Sequence, residues 1–379
     1  MKRILILMII ITLSTVVSAR TKLTTLPDRN LVRIDLKNST FTLVEEERTI
    51  NLQRGLNKIE FAWSQTYIDM NSIQFRAIKT PGKVSVININ YPPNEKALYW
   101  EVYSHKAGPG VFRISYLIHR LYKTISYEAI ADKHEKLLTL KSYFTLKNMS
   151  GEKFKDAMLK LGYGKDFIKT FERGEAKKML SVKFKNIPVV KSYHFDKNRY
   201  GSYVRMYYEI TNSKKNGMAK FPLLPGKVRI FQEDNYGSEA FIGEDWGKYT
   251  PRGQTMSIYL GQAKEVKIKR YLYKNKTEKL NKKVKNYHQI IKYQIENFKK
   301  TKVPVILHEH PGGEWVVKKV VLKKETGERN KKKERVISHR KMVSLKRKDV
   351  RNLEITCKVP HTKDVKYNLY VHITLKNRW

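Results

Sequence analysis

Apolar and polar residues alternate along most of the chain, and a period of two is typical of β-strands with one buried face. The alternation is clearest in residues 40–44, 72–75 and 84–87. Glycine, proline and asparagine separate these segments, and such residues favour turns. The pattern therefore predicts a chain built mainly of half-buried strands.

One strand pattern occurs three times, with an aromatic residue, an aliphatic residue and an asparagine at alternate positions. In a strand these three side chains lie on one face. We expect the first two to pack inward and the asparagine to start a turn through its own side chain. The copies are Phe144-Leu146-Asn148, Tyr208-Ile210-Asn212 and Tyr293-Ile295-Asn297. Intervals of 64 and 85 residues exclude a short solenoid repeat and suit similar strands in neighbouring β-sandwiches.

Helical periodicity is weak. The best candidate is residues 165–180, where Phe167, Ile168, Phe171 and Met179 fit one apolar stripe, although a glycine interrupts it. We therefore expect an all-β fold: an N-terminal β-domain followed by tandem β-sandwich (immunoglobulin-like) units, with a minor helix at 165–180.

The length of 379 residues exceeds the size at which one hydrophobic core stops growing, about 250–300 residues, so we expect several packed units. Residues 91–94 contain paired prolines, which suit neither a helix interior nor a central strand. We predict a signal peptide at 1–19, an N-terminal β-domain at 20–95, a central β-sandwich at 96–262 and a basic C-terminal β-sandwich at 263–379.

The N-terminus has the parts of a secretory signal peptide. Lys2 and Arg3 precede the apolar run at residues 4–11, and a small residue, Ala19, stands at the expected cleavage site. An uncleaved anchor is the alternative, but the run is shorter than the about 20 apolar residues of a membrane span. The remaining sequence contains no other stretch of that kind. We expect export to the periplasm or cell surface, with no transmembrane span after cleavage.

The chain is strongly basic, with 77 Lys and Arg against 35 Asp and Glu. Signal cleavage would remove two basic residues and no acids, which leaves a net charge of +40 (42 − 2). Between residues 264 and 350 there are 28 basic and 9 acidic residues. The runs that carry this excess are Lys318-Lys319, Lys331-Lys332-Lys333 and Lys346-Arg347-Lys348.

Two interpretations of the basic runs stay open. Lysines on a solvated face keep a protein soluble and protect exposed strand edges. Alternatively, the summed charge attracts an anionic partner. For an exported protein we expect that partner to be an envelope glycan or a membrane surface with anionic headgroups, and nucleic acid less so. The first function predicted is a non-catalytic envelope protein of this kind.

A metal-assisted hydrolase is the alternative function. His308 and His310 are two residues apart, so on a strand both imidazoles lie on one face and could bind one divalent ion. A third ligand would come from elsewhere, such as His339 or His361. The other interpretation is a strand that ends in polar residues before a turn. Cys357 is the single cysteine, which excludes a cysteine zinc cluster. The sequence contains no Walker loop, Rossmann fingerprint or nucleophile elbow, and we predict no cofactor.

Several segments of the second part of the chain follow one another in a recognisable order. The main ones are residues 113–116, 148–152, 224–229, 241–245 and 259–263. In this order they resemble the mucoidy inhibitor A-like family of exported bacterial proteins with a domain of unknown function, and the resemblance covers about residues 96–379. Leu121 and Tyr122 stand where the family tends to carry a tryptophan. The resemblance implies β-sandwich modules at the cell envelope and brings no catalytic residues.

Overall fold

The computed structural model describes residues 22–38, 40–234, 236–326, 333–337, 342–362 and 365–378. Within these residues the chain forms 25 strands, one four-residue α-helix and two 3-10 turns, so the all-β prediction is confirmed. The expected signal peptide lies outside the described residues. Among the helices that the structure describes, none has the length and apolar character needed to cross a membrane.

The chain divides into two compact units, and the first comprises the described residues up to Lys123 together with Thr145–Lys178. Its strands are β1 (Lys22–Thr25), β2 (Leu31–Asp35), β3 (Thr42–Leu52), β4 (Gly55–Ala62), β5 (Gln74–Lys79), β6 (Val84–Asn90), β7 (Ala97–Ser104), β8 (Gly108–Ile118), β11 (Phe154–Lys160) and β12 (Phe167–Phe171). They form a four-stranded sheet, β1-β4-β7-β6, and a six-stranded sheet, β12-β11-β2-β3-β8-β5.

Aromatic side chains join the two sheets of the first unit. Phe61 of β4 and Trp100 of β7 come from the four-stranded sheet, whereas Phe75 of β5 and Tyr116 of β8 come from the six-stranded sheet. Trp100 stacks on Phe75 with ring centroids 4.5 Å apart, and Phe61 lies 5.8 Å from Tyr116. The sheets therefore face each other across one core, which is a sandwich-like arrangement.

The second unit comprises Thr124–Phe144 and the described residues from Met179 onward. Its strands are most of β9 (Leu121–Ala131), β10 (Leu137–Asn148) and β13 (Ala176–Asp196), then β14 (Val204–Thr211), β15 (Gly226–Glu233), β16 (Glu239–Gly247), β17 (Thr255–Gln262), β18 (Val266–Lys279), β19 (Lys285–Asn297), β20 (Val303–Glu309), β21 (Trp315–Thr326), β22 (Lys333–Val336), β23 (Val343–Arg347), β24 (Leu353–Val359) and β25 (Val365–Arg378). The helix α1 (Lys197–Tyr200) follows β13.

These strands form a ten-stranded and a five-stranded sheet. The larger sheet runs β16-β15-β9-β10-β13-β20-β24-β23, with β14 paired to β13 and β17 paired to β14. The smaller sheet runs β18-β19-β25-β21-β22. Buried side chains of β13, β20 and β24 pack against those of β19, β21 and β25, so one core lies between the two sheets. A second core joins β9, β10, β14, β15 and β17.

The recurring aromatic, aliphatic and asparagine pattern is confirmed as an inward-facing set, because all nine side chains are buried. Each asparagine donates to backbone carbonyls near its strand end. Asn148 donates to Glu152, Asn212 to Thr250 and Asn297 to Thr301, with N···O distances of 2.7, 3.2 and 2.9 Å. The amide thus satisfies turn carbonyls that would otherwise be buried without a partner.

The predicted helix at residues 165–180 is wrong. The segment forms β12 and the start of β13, and the α-helix of the described chain is α1, farther along. A helical stripe would bury Ile168 and Phe171 together, but Ile168 is 62% exposed while Phe171 is fully buried. Gly174 has a φ of 78° and turns the chain between the strands, which an uninterrupted helix does not allow.

The limits of the compact units differ from the boundaries expected at residues 95 and 262. β7 starts at Ala97, beyond the first of these boundaries, yet it pairs with β4 along eight residues and also with β6. The units therefore follow strand pairing, and the paired prolines at 92–93 stand in a connection between two strands of one sheet.

Candidate functional site

The outer face of the ten-stranded sheet carries the candidate site of the second unit. Tyr193 and Leu307 point into the core, so His194 and His308, next to them in sequence, point outward. Across β20 and β24, His308 pairs with Glu354. The outward residues of neighbouring strands therefore form one polar surface.

A pocket of about 440 Å³ opens on this surface, and we call it the histidine pocket. Three histidines line it together with acidic, basic, aromatic and other polar residues from β13, α1, β14, β17, β20, β24 and the adjoining loops. Its lining residues are His194, Asp196, Arg199, Tyr200, Tyr207, Lys248, Ser257, His308, His310, Lys348, Asp349, Asn352, Leu353 and Glu354.

Two of the histidines form a direct ring-to-ring hydrogen bond. His194 Nδ1 lies 3.0 Å from His308 Nε2, so one proton is shared between the rings. His194 Nε2 faces Glu209 Oε1 at 3.2 Å. Glu209 also accepts hydrogen bonds from Ser192 and Ser257. His194 is therefore positioned from both ring nitrogens.

The titration of this network follows from burial and hydrogen bonding. Burial and the nearby His194 lower the pKa of His308 to about 4, so its ring is neutral at physiological pH. Burial alone would raise the pKa of Glu209. Hydrogen bonds from His194 and Ser257 outweigh burial and hold the Glu209 pKa below its usual value, so the carboxyl is ionised.

His310 is held at both ring nitrogens. Its Nε2 lies 2.8 Å from Asp196 Oδ2, and its Nδ1 lies 2.6 Å from Asn352 Oδ1. The Asn352 amide nitrogen donates to Asp349, which turns its oxygen toward His310. Both ring nitrogens face side-chain oxygens, so both are already engaged by groups of the protein.

The predicted metal site lacks a ligand set in the described part of the chain. His308 and His310 line the same pocket, as their spacing predicts. His361 is not part of the pocket and donates to the Lys299 carbonyl, and His339 lies outside the described residues. The described residues contain no group of three or more His, Cys, Asp or Glu side chains that could hold a metal ion.

Two potential nucleophiles near this face are inaccessible. Ser192 is 1% exposed and donates its hydroxyl proton to Glu209 at 2.9 Å. Cys357 is fully buried, and burial raises the pKa of its thiol to about 12, so the thiolate does not form at neutral pH. Neither residue offers a nucleophile to a substrate.

A second cavity of about 530 Å³ adjoins the histidine pocket and shares Tyr207, Lys248 and Ser257 with it. We call it the aromatic groove, because four aromatic side chains line it with two cations. These six residues are Tyr207, Trp246, Tyr249, Tyr259, Arg205 and Lys248. Trp246 is 60% exposed and Tyr249 is 55% exposed. Large aromatic residues of this exposure at a concave site are typical of binding surfaces.

Local features of β16 and β17 position the groove residues. A Cβ on Gly247 would lie 3.0 Å from Val228 and 3.1 Å from Met256, so glycine lets the strand approach its neighbours beside Trp246. The register of β17 shifts opposite Met206 and Tyr207, which is a β-bulge. Bulges redirect side chains near functional sites.

Stacking and hydrogen bonds hold the groove's aromatic wall. The Arg205 guanidinium lies 3.6 Å from the Tyr200 ring centroid and 5.0 Å from that of Tyr259. The Tyr207 and Tyr259 rings lie 5.5 Å apart. Asp245 accepts a 2.7 Å hydrogen bond from the Tyr259 backbone, which ties β16 to β17. The surfaces are therefore already in place before a ligand binds.

The charges in the two cavities differ in how they are neutralised. In the histidine pocket Lys348 pairs with Glu354 at 3.0 Å, and Arg199 pairs with Asp196 at 3.6 Å. Within the described chain, Lys248 forms no ion pair. It lies where the two cavities meet, so its ammonium group is available to an anionic ligand.

The predicted anion-binding residues do not converge on one surface. Lys318 and Lys319 belong to β21 of the five-stranded sheet, and Lys319 lies opposite His372 on its outer face. Lys346 and Arg347 belong to β23 of the ten-stranded sheet, on the other side of the shared core.

The other predicted residues have separate surroundings. Lys348 lines the histidine pocket. Lys333 belongs to β22, where its backbone lies opposite Thr326 of β21. Arg347 stacks on Trp315 at 4.5 Å. Lys331 and Lys332 lie outside the described residues. Of the predicted set, Lys348 is the residue that reaches a described cavity of this face.

Sequence reasoning missed the aromatic groove. Its residues come from β14, β16, β17 and the loop after β16, so no local motif contains them. One signal was present: Tyr207 and Tyr208 are adjacent in a strand, and one of two adjacent side chains must face outward. Tyr208 is fully buried, which leaves Tyr207 on the outer face.

A scan of the sequence against protein-family models gave no match. A search of curated proteins also gave none.

Proposed function

We propose that this protein is an exported, non-catalytic cell-envelope protein that binds an anionic glycan in the aromatic groove. The observation that carries the proposal is the exposure of Trp246 and Tyr249 beside Lys248, a cation without an ion-pair partner among the described residues. The signal-like N-terminus and the resemblance to the mucoidy inhibitor A-like family support the envelope location.

The aromatic wall suits a saccharide. A pyranose ring has one face of C–H groups, and this face packs on the flat, apolar surface of Trp or Tyr while hydroxyl groups at the ring edge stay hydrated. Tyr207, Tyr259, Trp246 and Tyr249 come from three strands and a loop, so they offer several ring-sized surfaces along the groove. An extended oligosaccharide has the repeated rings that such a surface requires.

The cations of the groove favour an acidic sugar. Arg205 and Lys248 face the cavity, and Asp245, the one acid among the groove's lining residues, is engaged by the Tyr259 backbone. A carboxylate on the sugar would bind Lys248 by a charge-assisted hydrogen bond. The overall excess of positive charge would also attract an anionic chain at long range.

Binding of a linear oligosaccharide of uronic acid residues tests the proposal. By isothermal titration calorimetry, Trp246→Ala should weaken binding at least about tenfold, because exposed aromatic anchors carry much of the binding energy of such sites. Tyr236→Ala is the matched control, since Tyr236 is 92% exposed and lies outside the groove; its affinity should stay within about twofold of wild type.

A second pair of variants separates charge from stacking. Lys248→Gln should weaken binding of the acidic oligosaccharide about three- to tenfold, the cost of one charge-assisted hydrogen bond at a partly exposed site. Lys264→Gln removes the same charge from an exposed position outside the groove. Equal affinities for wild type, Trp246→Ala and Lys248→Gln would contradict the proposal.

A further inference from the structure

The hairpin of β18 and β19 ends in a segment whose exposure is unusual. Residues 271–283 are all exposed, and they include the outer half of β18, an edge strand of the five-stranded sheet. The turn is closed by the Leu280 backbone N–H, which donates to the Val284 carbonyl at 2.9 Å. The Asn281 side chain accepts from the backbone of Lys283 and Val284. We call residues 271–285 the hairpin arm.

The arm is densely cationic. Six lysines occur in its 15 residues, and within the described chain none of them forms an ion pair. They are Lys274, Lys276, Lys279, Lys282, Lys283 and Lys285. Glu278 is the single acid of the arm, and its carboxylate is engaged by Asn286 at 3.0 Å and His288 at 2.9 Å. The six ammonium groups are therefore free to meet an anionic surface.

The arm also exposes large apolar side chains. Tyr271 is 45% exposed, Leu272 is 52%, Tyr273 is 62% and Leu280, at the turn, is 50%. A β-bulge between Leu272 and Lys274 sets Tyr273 against Tyr370 of β25, with ring centroids 5.4 Å apart. This contact fixes Tyr273 at the base of the arm while most of its surface stays open.

Protection of the exposed edge of β18 would explain the lysines of the arm, but it would not explain the exposed tyrosine and leucine side chains. Lysine on an edge strand prevents pairing with another chain. Exposed tyrosine and leucine on the same strand act in the opposite direction, because they add apolar surface that attracts a partner. Lysines beside tyrosines and a leucine at a hairpin tip match the composition of elements that lie in a membrane interface.

We propose that the hairpin arm docks the protein on the surface of an anionic lipid bilayer. The lysines contact lipid phosphates, the tyrosine rings lie at the headgroup level, and Leu280 enters the acyl boundary. Each lysine near an anionic leaflet raises membrane affinity by about fivefold at physiological ionic strength. This surface is separate from the aromatic groove, whose residues lie in other strands.

Sedimentation with vesicles tests the proposal. The purified protein should bind vesicles of phosphatidylcholine mixed with phosphatidylglycerol and show little binding to vesicles of phosphatidylcholine alone. The triple variant Lys279→Gln, Lys282→Gln, Lys283→Gln should lose affinity for the mixed vesicles by about thirtyfold or more. Leu280→Ser, which keeps every charge, should lose about three- to tenfold.

The matched control removes the same charge elsewhere in the second unit. Lys214→Gln, Lys215→Gln, Lys220→Gln changes three exposed lysines near a 3-10 turn. Wild type and all three variants have the same N-terminus, so differences between them report the arm. The control should keep vesicle affinity within about threefold of wild type.

Three outcomes would overturn the proposal. They are unchanged vesicle binding in both arm variants, equal losses in the arm and control triples, and binding of a single-stranded oligonucleotide by the arm without vesicle binding. The last outcome would assign the arm to nucleic acid. Loss of glycan binding in the groove variants with intact vesicle binding would leave this proposal standing, so the two proposals fail separately.

Discussion

Glu309 stands between His308 and His310 in the sequence, yet its side chain lies on the other face of β20. It is 8% exposed and accepts hydrogen bonds from Arg270 Nε at 2.5 Å and Nη2 at 3.0 Å. The hydroxyl of buried Tyr293 also donates to it. The alternation of side chains along a strand predicts that Glu309 faces away from the two histidines. The local sequence does not predict its hydrogen-bond donors, because Arg270 and Tyr293 come from β18 and β19.

Glu309→Gln should destabilise the fold by about 3–5 kcal/mol, because it leaves the Arg270 guanidinium without its charge partner in a largely buried site. Urea unfolding followed by tryptophan fluorescence measures the change. Glu314→Gln is the matched control: its carboxyl pairs with Lys376 at the surface, where an ion pair contributes about 1 kcal/mol or less. Similar losses in both variants would contradict a stabilising role of the buried contact between Glu309 and Arg270.

His308 should make stability depend on pH. Its pKa is about 4 in the folded state, against the ordinary histidine value of 6.5, so between these pH values the unfolded chain binds the extra proton. Stability therefore rises with pH from about 4 to about 6.5 and is constant above that range as far as this group is concerned.

His308→Gln should remove up to about 2 kcal/mol of the stability difference between pH 7 and pH 5, since one pKa unit corresponds to about 1.4 kcal/mol and the ring keeps some solvent contact. Urea midpoints at the two pH values provide the measurement. His361→Gln, at an exposed histidine, is the control. An identical pH dependence for wild type and His308→Gln would show that the ring titrates normally.

For the secondary-structure elements, the alternation of apolar and polar residues predicted strands correctly, whereas the apolar stripe at residues 165–180 predicted a helix that does not form. Residues 165–180 contain phenylalanine, isoleucine and methionine at spacings that fit a helix, and they also fit two strands around a turn. Gly174 in the left-handed region decides between them, because it turns the chain between β12 and β13. β-Branched and aromatic residues in the segment 167–171 also favour a strand.

Phe171 and Ile168 distinguish the two structures. Phe171→Ala should cost about 3–5 kcal/mol of unfolding free energy, because Phe171 is fully buried opposite Phe154 in β11. Ile168→Ala should change it by about 0.5 kcal/mol or less, because that side chain is 62% exposed. Thermal or urea unfolding gives both values. Comparable losses at the two positions would indicate a shared buried stripe, as in a helix.

At the scale of the whole molecule, the fold class could be predicted and the binding surface could not. Period-two alternation reports which side of each strand is buried, and this information is local. The aromatic groove needs Tyr207, Trp246, Tyr249 and Tyr259 to meet through the pairing of distant strands. Charge counts located a basic segment, but strand order sends Lys319 and Lys346 to opposite outer faces of one sandwich.

The decisive measurement is the affinity of the protein for an acidic oligosaccharide and for its carboxyl-reduced neutral counterpart at rising salt concentrations. We expect the acidic form to bind more tightly at low salt, because Lys248 and Arg205 face the groove in which the sugar carboxylates would lie. The difference between the two affinities should decrease as added salt shortens the Debye length to less than about 10 Å and screens these charges. A residual affinity for both forms should remain from stacking on Trp246 and Tyr249. Equal affinities for the two forms at low salt, or no measurable binding of either form, would contradict the binding of an acidic glycan in the aromatic groove.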